Sequence, residues 1–225
     1  MIRGLIFDFD GLILDTETPE YEAWQQVYAG YGQSLPLEQW GRCIGSSYDA
    51  FNPLVYLQSL VGPLADPEGL RQRQRSTAQA LLQPKAPLPG VQDLLNQARR
   101  LGLALAVASS SSFQWVHDNL QRLGLLPYFQ ELCTAEQVPV VKPDPALYQL
   151  ALRRLGLLPG EAVAFEDSPN GIQAAESAGI YCVAVPNQLT ARLGARGDVT
   201  LSTLEGLSLE KLIASVQGPD GRGTR

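Results

Sequence analysis

The sequence predicts an α/β protein built on a parallel β-sheet, because short apolar runs alternate with longer amphipathic segments along most of its 225 residues. The runs are continuously apolar, as strands are when helices cover both faces of a parallel sheet. Glycines stand just after the amphipathic segments, where helices commonly end in a left-handed residue. Together these observations predict a doubly wound, Rossmann-like sheet.

Four strands are predicted, with amphipathic helices between them. The strands cover residues 4–9, 103–108, 162–165 and 181–185, and the helices cover 91–101, 113–123, 146–155 and 172–178. The glycines that follow these helices are Gly102, Gly124, Gly156 and Gly179. Repeated units of this kind place most of the chain in one α/β core.

The stretch from Thr16 to Ala86 interrupts the alternation. It carries helical patterns broken by four prolines and shows no strand signal. We therefore expect a helical cap over residues 16–86, inserted into a core of residues 1–15 and 87–217. Residues 218–225, which are rich in glycine and poor in apolar side chains, are expected to form a disordered tail.

Composition argues against two classes of partner. The chain has 17 basic and 23 acidic side chains, a net charge of −6 and no basic cluster in its sequence, so nothing would neutralise a nucleic-acid backbone. The longest apolar run, around residues 101–108, is much shorter than the roughly 20 residues of a membrane-spanning helix. We expect a small-molecule partner.

The cysteines and the histidine limit which disulfides and acid–base groups the protein can use. The three cysteines, Cys43, Cys133 and Cys182, are far apart and odd in number, so we expect buried thiols in a reducing cytoplasm. Aspartates interrupt the N-terminal apolar run, which argues against a signal peptide. His117 is the only histidine, so acid–base chemistry must depend mostly on carboxylates.

The first candidate site is Asp8-Phe9-Asp10-Gly11, at the end of the first predicted strand. Residues two apart in a strand point to the same side, with about 6.6 Å between their Cα atoms. Two carboxylates this close favour a Mg²⁺ site in which one is a nucleophile and the other an acid–base group. An ordinary acidic turn is the alternative for this motif taken alone.

A second acidic pair, Glu166-Asp167, follows another apolar strand. Ser168 and Pro169, which come next, are typical of a helix start. Helix capping does not explain two carboxylates at the end of a buried strand, where unpaired charge is costly. A divalent cation shared with the first pair explains both motifs.

Two further features suit a phosphoryl group. Lys142 stands between two valines and a proline that restricts its backbone, and its ammonium could also keep an aspartate charged. Four serines, from Ser109 to Ser112, follow the second strand, where hydroxyl and backbone N–H groups can hold an anion. A solvated lysine and simple helix capping are the alternatives for these features taken singly.

These four motifs, in this order and each near a strand end, resemble the haloacid dehalogenase superfamily of phosphohydrolases. The superfamily pattern is D-x-D-G, a Ser or Thr after the second strand, a lone Lys and an acidic pair. The segments GLILDTE and EDSPNGIQAAESAG resemble the β-phosphoglucomutase-like subgroup, which has a helical cap. The resemblance extends to about Asn187 and is loosest in the cap.

The resemblance implies a Mg²⁺-dependent phosphatase that acts on a small phosphorylated metabolite. Asp8 would be the nucleophile that forms an aspartyl-phosphate, and Asp10 the general acid and base. Mg²⁺ would be held by the Asp8 carboxylate, the Asp10 backbone carbonyl and Asp167, with Glu166 reaching it directly or through water. The phosphoryl oxygens would be bound by residues Ser109, Ser110 and Lys142.

Other activities of related folds remain as alternatives. A dehalogenase would lack Asp10 and the metal, and a phosphorylated signalling receiver would lack the helical insertion and would need a long-lived phosphoaspartate. A sugar phosphomutase shares the whole core and differs in its cap. In β-phosphoglucomutase a cap histidine stands where this chain has Glu20, and a lysine and an arginine flank a cap glycine.

The corresponding cap positions here are Ile44, Gly45 and Tyr48. Neither Ile44 nor Tyr48 supplies a cation for the second phosphate of a bisphosphate intermediate. We therefore expect a hydrolase, with Glu20, Gly45 and Tyr48 as candidate substrate-binding residues in the cap.

Overall fold

A computed structural model describes residues 1–82 and 86–217 of the chain. Six parallel strands form one sheet, and in chain order they are β1 (Gly4–Phe7), β2 (Ala104–Ala108), β3 (Glu131–Cys133), β4 (Ala162–Glu166), β5 (Tyr181–Ala184) and β6 (Val199–Thr200). Their order across the sheet is β3-β2-β1-β4-β5-β6, with β1 between β2 and β4. The predicted doubly wound α/β fold is confirmed.

Ten α-helices accompany the sheet within the described ranges. They are α1 (Glu17–Ala29), α2 (Leu37–Trp40), α3 (Pro53–Val61), α4 (Pro67–Leu82), α5 (Val91–Arg100), α6 (Phe113–Arg122), α7 (Ala146–Leu155), α8 (Pro169–Ser177), α9 (Gln188–Arg192) and α10 (Leu209–Gln217). None of these helices combines the length and the apolar character that a membrane span requires. Glycines with positive φ follow α5, α6, α7 and α8, as predicted.

Alternate residues of β1 contribute to the two hydrophobic layers that cover the sheet. Leu5 and Phe7 pack with α5, α6 and α10 on one face, and Phe7 stacks on Phe165 with ring centroids 4.9 Å apart. Ile6 packs with α7 and α8 on the other face. Burial on both faces explains why the central strands are apolar without interruption.

The prediction of four strands is wrong in number, because β3 and β6 were not expected. These strands have three and two residues, and their side chains are partly exposed at the edges of the sheet, so they form no continuous apolar run. The first strand is also shorter than predicted and ends at Phe7. Helix α8 begins three residues before the predicted start, at Pro169, with Ser168 as its N-cap.

Helices α1 to α4 occupy the stretch predicted to be a cap, and no strand occurs between residues 16 and 82. They share a hydrophobic cluster centred on residues such as Trp24, Tyr28 and Leu57, to which Leu189 of α9 also contributes. The division of the chain into core and cap stays a prediction. The predicted disordered tail, residues 218–225, lies outside the described residues.

The three cysteines are free and buried, as the sequence predicted. Each thiol has a pKa above its ordinary value because burial disfavours the thiolate. They therefore act as small apolar side chains within the packed layers.

Gly90 is the residue just before α5, and its substitution tests how closely this turn packs against the backbone near Leu204. It has φ of +87°, and a Cβ there would lie 2.1 Å from the backbone carbonyl carbon of Leu204. We expect Gly90→Ala to lower the free energy of unfolding by more than about 2 kcal/mol, because a backbone overlap adds to the left-handed strain. Urea denaturation followed by circular dichroism measures this.

Gly102→Ala is the matched control, since Gly102 also has positive φ but its Cβ would meet nothing within 4 Å. Its cost should be about 1 kcal/mol, from backbone strain alone. Equal losses in the two variants would show that the contact with Leu204 does not determine the packing of this turn.

Candidate active site

Four segments meet at the carboxyl edge of the sheet, where ligands bind in open α/β folds. Asp8 and Asp10 follow β1, and the serine run follows β2. Glu166 is the last residue of β4, with Asp167 next to it. The loop that precedes α7 brings in Lys142, so residues far apart in sequence share one site.

The Lys142 ammonium lies between two carboxylates in the interior. Its Nζ donates to Asp8 Oδ1 at 2.5 Å and to Glu166 Oε1 at 2.6 Å. Lys142 is 1% exposed and Glu166 is fully buried. A buried ammonium needs such partners to offset its loss of hydration, so Lys142 has a structural requirement for both acids.

Burial and the neighbouring charges both shift the pKa values of Lys142 and Asp8. Burial lowers the pKa of Lys142, but Asp8 and Glu166 raise it above its ordinary value, so the ammonium keeps its proton. Burial raises the pKa of Asp8 well above its usual range; Lys142 opposes this rise, and Glu166 and Asp10 add to it. The positive charge of Lys142 therefore does not neutralise all the carboxylates around it.

Both oxygens of Glu166 are fully engaged. Oε1 also accepts from the Tyr148 hydroxyl at 2.6 Å, and Oε2 accepts from the Asp167 and Ser168 amides at 3.2 and 3.5 Å. A Cβ at Gly171 would lie 2.1 Å from this carboxylate, which explains the glycine in the first turn of α8. Glu166 therefore positions Lys142 and the start of α8.

Two buried carboxylate oxygens have no hydrogen-bond partner among the described residues. They are Asp8 Oδ2 and Asp167 Oδ1. The other oxygen of Asp167 accepts from Asn187 Nδ2 at 2.8 Å, and burial raises the pKa of Asp167 well above its usual range. Ligand oxygens of Asp8, Glu166 and Asp167 lie within 4.8 Å of one another.

This group of three carboxylates and one ammonium has two negative charges in excess when all are ionised. Hard divalent cations prefer carboxylate oxygens, and two such oxygens here receive no hydrogen bond from the described part of the chain. The site therefore fits a divalent cation bound by Asp8 and Asp167. Glu166 is adjacent, but its oxygens are already committed to protein donors.

The second aspartate of the first motif is held apart from this cluster. Asp10 Oδ2 accepts from the hydroxyls of Ser109 and Ser111 at 3.2 and 2.7 Å, and Oδ1 accepts from the Trp115 indole at 2.9 Å. Ser112 separately caps α6 through the Trp115 amide. The serine run thus combines helix capping with the orientation of Asp10.

A loop of the helical insertion is hydrogen-bonded to the same edge. Ser110 Oγ donates to the Gly45 carbonyl at 3.0 Å, and Ser46 Oγ donates to the Lys142 carbonyl at 2.6 Å. Asn170 Nδ2 donates to the Ile44 carbonyl at 2.8 Å. These contacts hold the loop over the site.

The three cap residues predicted to bind substrate lie in different environments. A Cβ at Gly45 would lie 2.1 Å from Ser168 Oγ, so this glycine permits close packing on the core. Glu20 Oε2 accepts from Gln74 Nε2 at 2.6 Å and from the Tyr48 hydroxyl at 3.5 Å. Glu20 and Tyr48 therefore contact each other, whereas Gly45 lies where the loop packs against Ser168 of the core.

Several residues of the site were missed by the sequence analysis. Tyr148 and Trp115 lie inside helices where their spacing resembles that of core residues, so no local signal marked them. Asn187 had a usable signal, because it follows β5 and strand ends meet at this edge. Glu17, also missed, is buried close to Asp10.

Comparison with known proteins decides the family. The sequence profile of the haloacid dehalogenase-like hydrolases matches residues 5–185. The chain belongs to this family. It is 46% identical over 193 residues to YhcW of Bacillus subtilis, which is named as a presumed phosphatase, covering 86% of this chain and 87% of YhcW.

A second relative of this haloacid dehalogenase-like protein is the phosphorylated carbohydrates phosphatase of Thermotoga maritima. It is 32% identical over 181 residues, covering 80% of this chain and 82% of that protein. The crystal structure of β-phosphoglucomutase from Clostridium difficile matches with a TM-score of 0.75 and 21% identity, covering 95% of this chain and 96% of that one. The predicted superfamily, its β-phosphoglucomutase-like fold and the phosphatase class are confirmed.

The excess negative charge predicts a stabilising cation. Millimolar Mg²⁺ should raise the midpoint of thermal unfolding by about 5 °C, because a ligand that binds only the folded state stabilises it. The shift should be larger at pH 8 than at pH 5.5, since the raised pKa values of Asp8 and Asp167 let protons compete with the cation at lower pH. Differential scanning fluorimetry measures both effects.

Asp167→Asn should lose most of this shift, and Asp93→Asn, an exposed change on α5, should keep it. A full shift in Asp167→Asn would place the cation elsewhere.

Proposed function

We propose that the chain is a Mg²⁺-dependent phosphomonoester hydrolase that acts on a small phosphorylated sugar through an aspartyl-phosphate intermediate. The observation that carries this proposal is the Asp8 carboxylate. One of its oxygens is bound to Lys142, and the other is buried with no hydrogen-bond partner among the residues that the structure describes. A carboxylate in this state is suited to attack phosphorus beside a cation.

In the first step an Asp8 oxygen attacks the phosphorus and the bond to the ester oxygen breaks. Asp10 gives its proton to the departing alkoxide, which leaves as the alcohol. In the second step Asp10 takes a proton from water as the water oxygen attacks phosphorus. The bond from phosphorus to Asp8 breaks, releasing inorganic phosphate and restoring both carboxyl groups.

Mg²⁺ would be held by the Asp8 and Asp167 carboxylates and by the Asp10 backbone carbonyl, and Glu166 could reach it through water. When bound, it supplies positive charge that offsets the charge of the phosphoryl group. Lys142 adds to this neutralisation while holding Asp8. Asn187 orients Asp167 by binding its Oδ2.

Phosphoryl oxygens would be bound at Lys142 and at the serine run. Ser109 is fully buried beside Asp10, and Ser110 is also hydrogen-bonded to the Gly45 carbonyl. Ser110 would therefore connect phosphate binding to the loop over the site. That loop would exclude water while the phosphoaspartate forms.

The indole of Trp115 and the hydroxyl of Ser111 are positioning groups in this scheme. Both donate to Asp10 and fix its carboxyl group beside the serine run. The named activity of the Thermotoga maritima relative favours a phosphorylated carbohydrate as substrate. We place the enzyme in the cytoplasm, where its free thiols would stay reduced, with a small molecule rather than nucleic acid as partner.

A sugar phosphomutase is the second candidate, because an enclosing loop would also retain a phosphorylated intermediate. Hydrogen bonds with Ser110, Lys142 and Asn170 of the core hold this loop in place. The residues near it argue against this activity, since Glu20, Ile44 and Tyr48 provide no cation for a second phosphate.

Asp8→Asn tests the nucleophile. We expect phosphate release in saturating Mg²⁺ to fall at least a thousandfold, because the amide cannot form the acyl phosphate, while the thermal unfolding transition stays cooperative. Asp93→Asn on the exposed face of α5 is the matched control and should keep full activity. Activity of Asp8→Asn within tenfold of wild type would reject the assignment.

The products formed from β-glucose 1-phosphate distinguish hydrolase from mutase. With a trace of glucose 1,6-bisphosphate present, we expect free phosphate and little glucose 6-phosphate, because the cap residues cannot retain the bisphosphate. A coupled dehydrogenase assay follows glucose 6-phosphate, and a molybdate assay follows phosphate. Faster formation of glucose 6-phosphate would establish the mutase.

A further inference from the structure

The side-chain amide of Asn187 is bonded at both of its ends. Its Nδ2 donates to Asp167 Oδ2 at 2.8 Å. Its Oδ1 accepts from the backbone amides of Leu189 and Thr190 at 2.9 and 3.0 Å, which makes Asn187 the N-cap of α9. One side chain therefore joins the start of α9 to a carboxylate that is proposed to hold the cation.

The chemistry of these partners fixes which way the amide points. Backbone N–H groups only donate and an ionised carboxylate only accepts, so the oxygen faces α9 and the nitrogen faces Asp167. The Asn187 backbone amide also donates to Thr190 Oγ1 at 3.0 Å, and Thr190 is fully buried. A Cβ at Gly11 would lie 2.9 Å from Asn187 Nδ2. Asn187 is therefore held on several sides, and its position depends on that of α9.

Helix α9 in turn packs against the helical insertion. Leu189 belongs to the hydrophobic cluster of α1 to α4, and Leu193, which follows α9, packs against the same cluster. Gly41 directly follows α2, and a Cβ there would lie 2.6 Å from Leu193 Cδ1. The insertion therefore contacts the short helix whose N-cap binds Asp167.

The chain that follows Asp167 contacts the same part of the insertion. Asn170, in the first turn of α8, donates from Nδ2 to the Ile44 carbonyl at 2.8 Å. Asp167 thus lies between two contacts with residues 41–44, one made through α8 and the other through α9. The contact through α9 depends on a side chain that binds the Asp167 carboxylate itself.

We propose that Asn187 is a positioning residue that couples cation binding at Asp167 to the packing of the helical insertion on α9. With Asp167 Oδ1 bound to a cation, Oδ2 stays fixed as the acceptor of Asn187, and the capped form of α9 is favoured. Coupling between two binding events is reciprocal, so looser packing on α9 weakens cation binding. The inference rests on the proposed function, because it takes Asp167 as a cation ligand.

Substitution of Asn187 separates its two bonds. Asn187→Ser keeps an N-cap oxygen, but this side chain is one bond shorter and does not reach Asp167 from the capping position. Its Kd for Mg²⁺, measured by isothermal titration calorimetry with Mg²⁺ alone, should rise at least tenfold, as is typical when a residue that orients a metal ligand is lost. Asn187→Ala should have the same Kd but unfold about 2–4 °C lower than Asn187→Ser, because it also loses the cap.

A double-mutant cycle tests the connection to the insertion. Leu193→Ala removes the contact with Gly41 and leaves both bonds of Asn187 in place. We expect it to raise the Kd for Mg²⁺ about fivefold in the wild-type background and to have no effect in the Asn187→Ser background. Leu158→Ala, at an exposed leucine that precedes β4, is the matched control and should change the Kd less than about twofold.

Hydrogen exchange followed by mass spectrometry measures the packing directly. In the wild type, saturating Mg²⁺ should slow exchange at least threefold in a peptide that covers residues 38–46, because local opening of this segment becomes less frequent. In Asn187→Ser the same peptide should exchange at one rate with or without saturating Mg²⁺.

The outcomes separate this inference from the proposed function. If the wild type bound no Mg²⁺, the proposed function and this inference would both fail. If the wild type bound Mg²⁺ and Asn187→Ser kept the wild-type Kd, only the inference would be overturned. Equal effects of Leu193→Ala in the two backgrounds would also overturn it, since the coupling would then bypass Asn187.

Discussion

The Lys142 ammonium, buried between Asp8 and Glu166, is the interaction on which the site depends. It joins the end of β1 to the end of β4, and the Tyr148 hydroxyl of α7 donates to the same oxygen of Glu166. Because an unpaired charge in the interior is costly, each partner fixes the position of the others. The Lys142 carbonyl also accepts from Ser46, so the same residue helps to seat the loop of the helical insertion.

One lysine cannot neutralise three buried carboxylates, and this imbalance defines what the site can bind. Within residues 1–82 and 86–217, Asp8 Oδ2 and Asp167 Oδ1 remain as acceptors without a donor. A bound divalent cation would offset this excess charge, and an anionic phosphoryl group could then approach. In the proposed mechanism, folding stability, cation binding and catalysis would depend on the same carboxyl groups, with protons as competitors for them.

The core and the helical insertion place different side chains near Asp10. Core residues hold the atoms that would exchange the phosphoryl group, and these residues come from strand ends, where the backbone is fixed by the sheet. The insertion places Glu17 and Glu20 near Asp10, on helix α1, which follows the first motif directly.

The sequence by itself determined the α/β class, the four central strands of the sheet and the motifs that place the chain in its family. Continuous apolar runs reveal strands that are buried on both faces, and strand ends reveal carboxylates such as Asp8 and Asp167. Only the tertiary structure decided that Glu166 holds Lys142, that Trp115 binds Asp10, and that Gly45 packs on Ser168. These roles depend on contacts between residues that are distant in the chain, and local periodicity carries no information about such contacts.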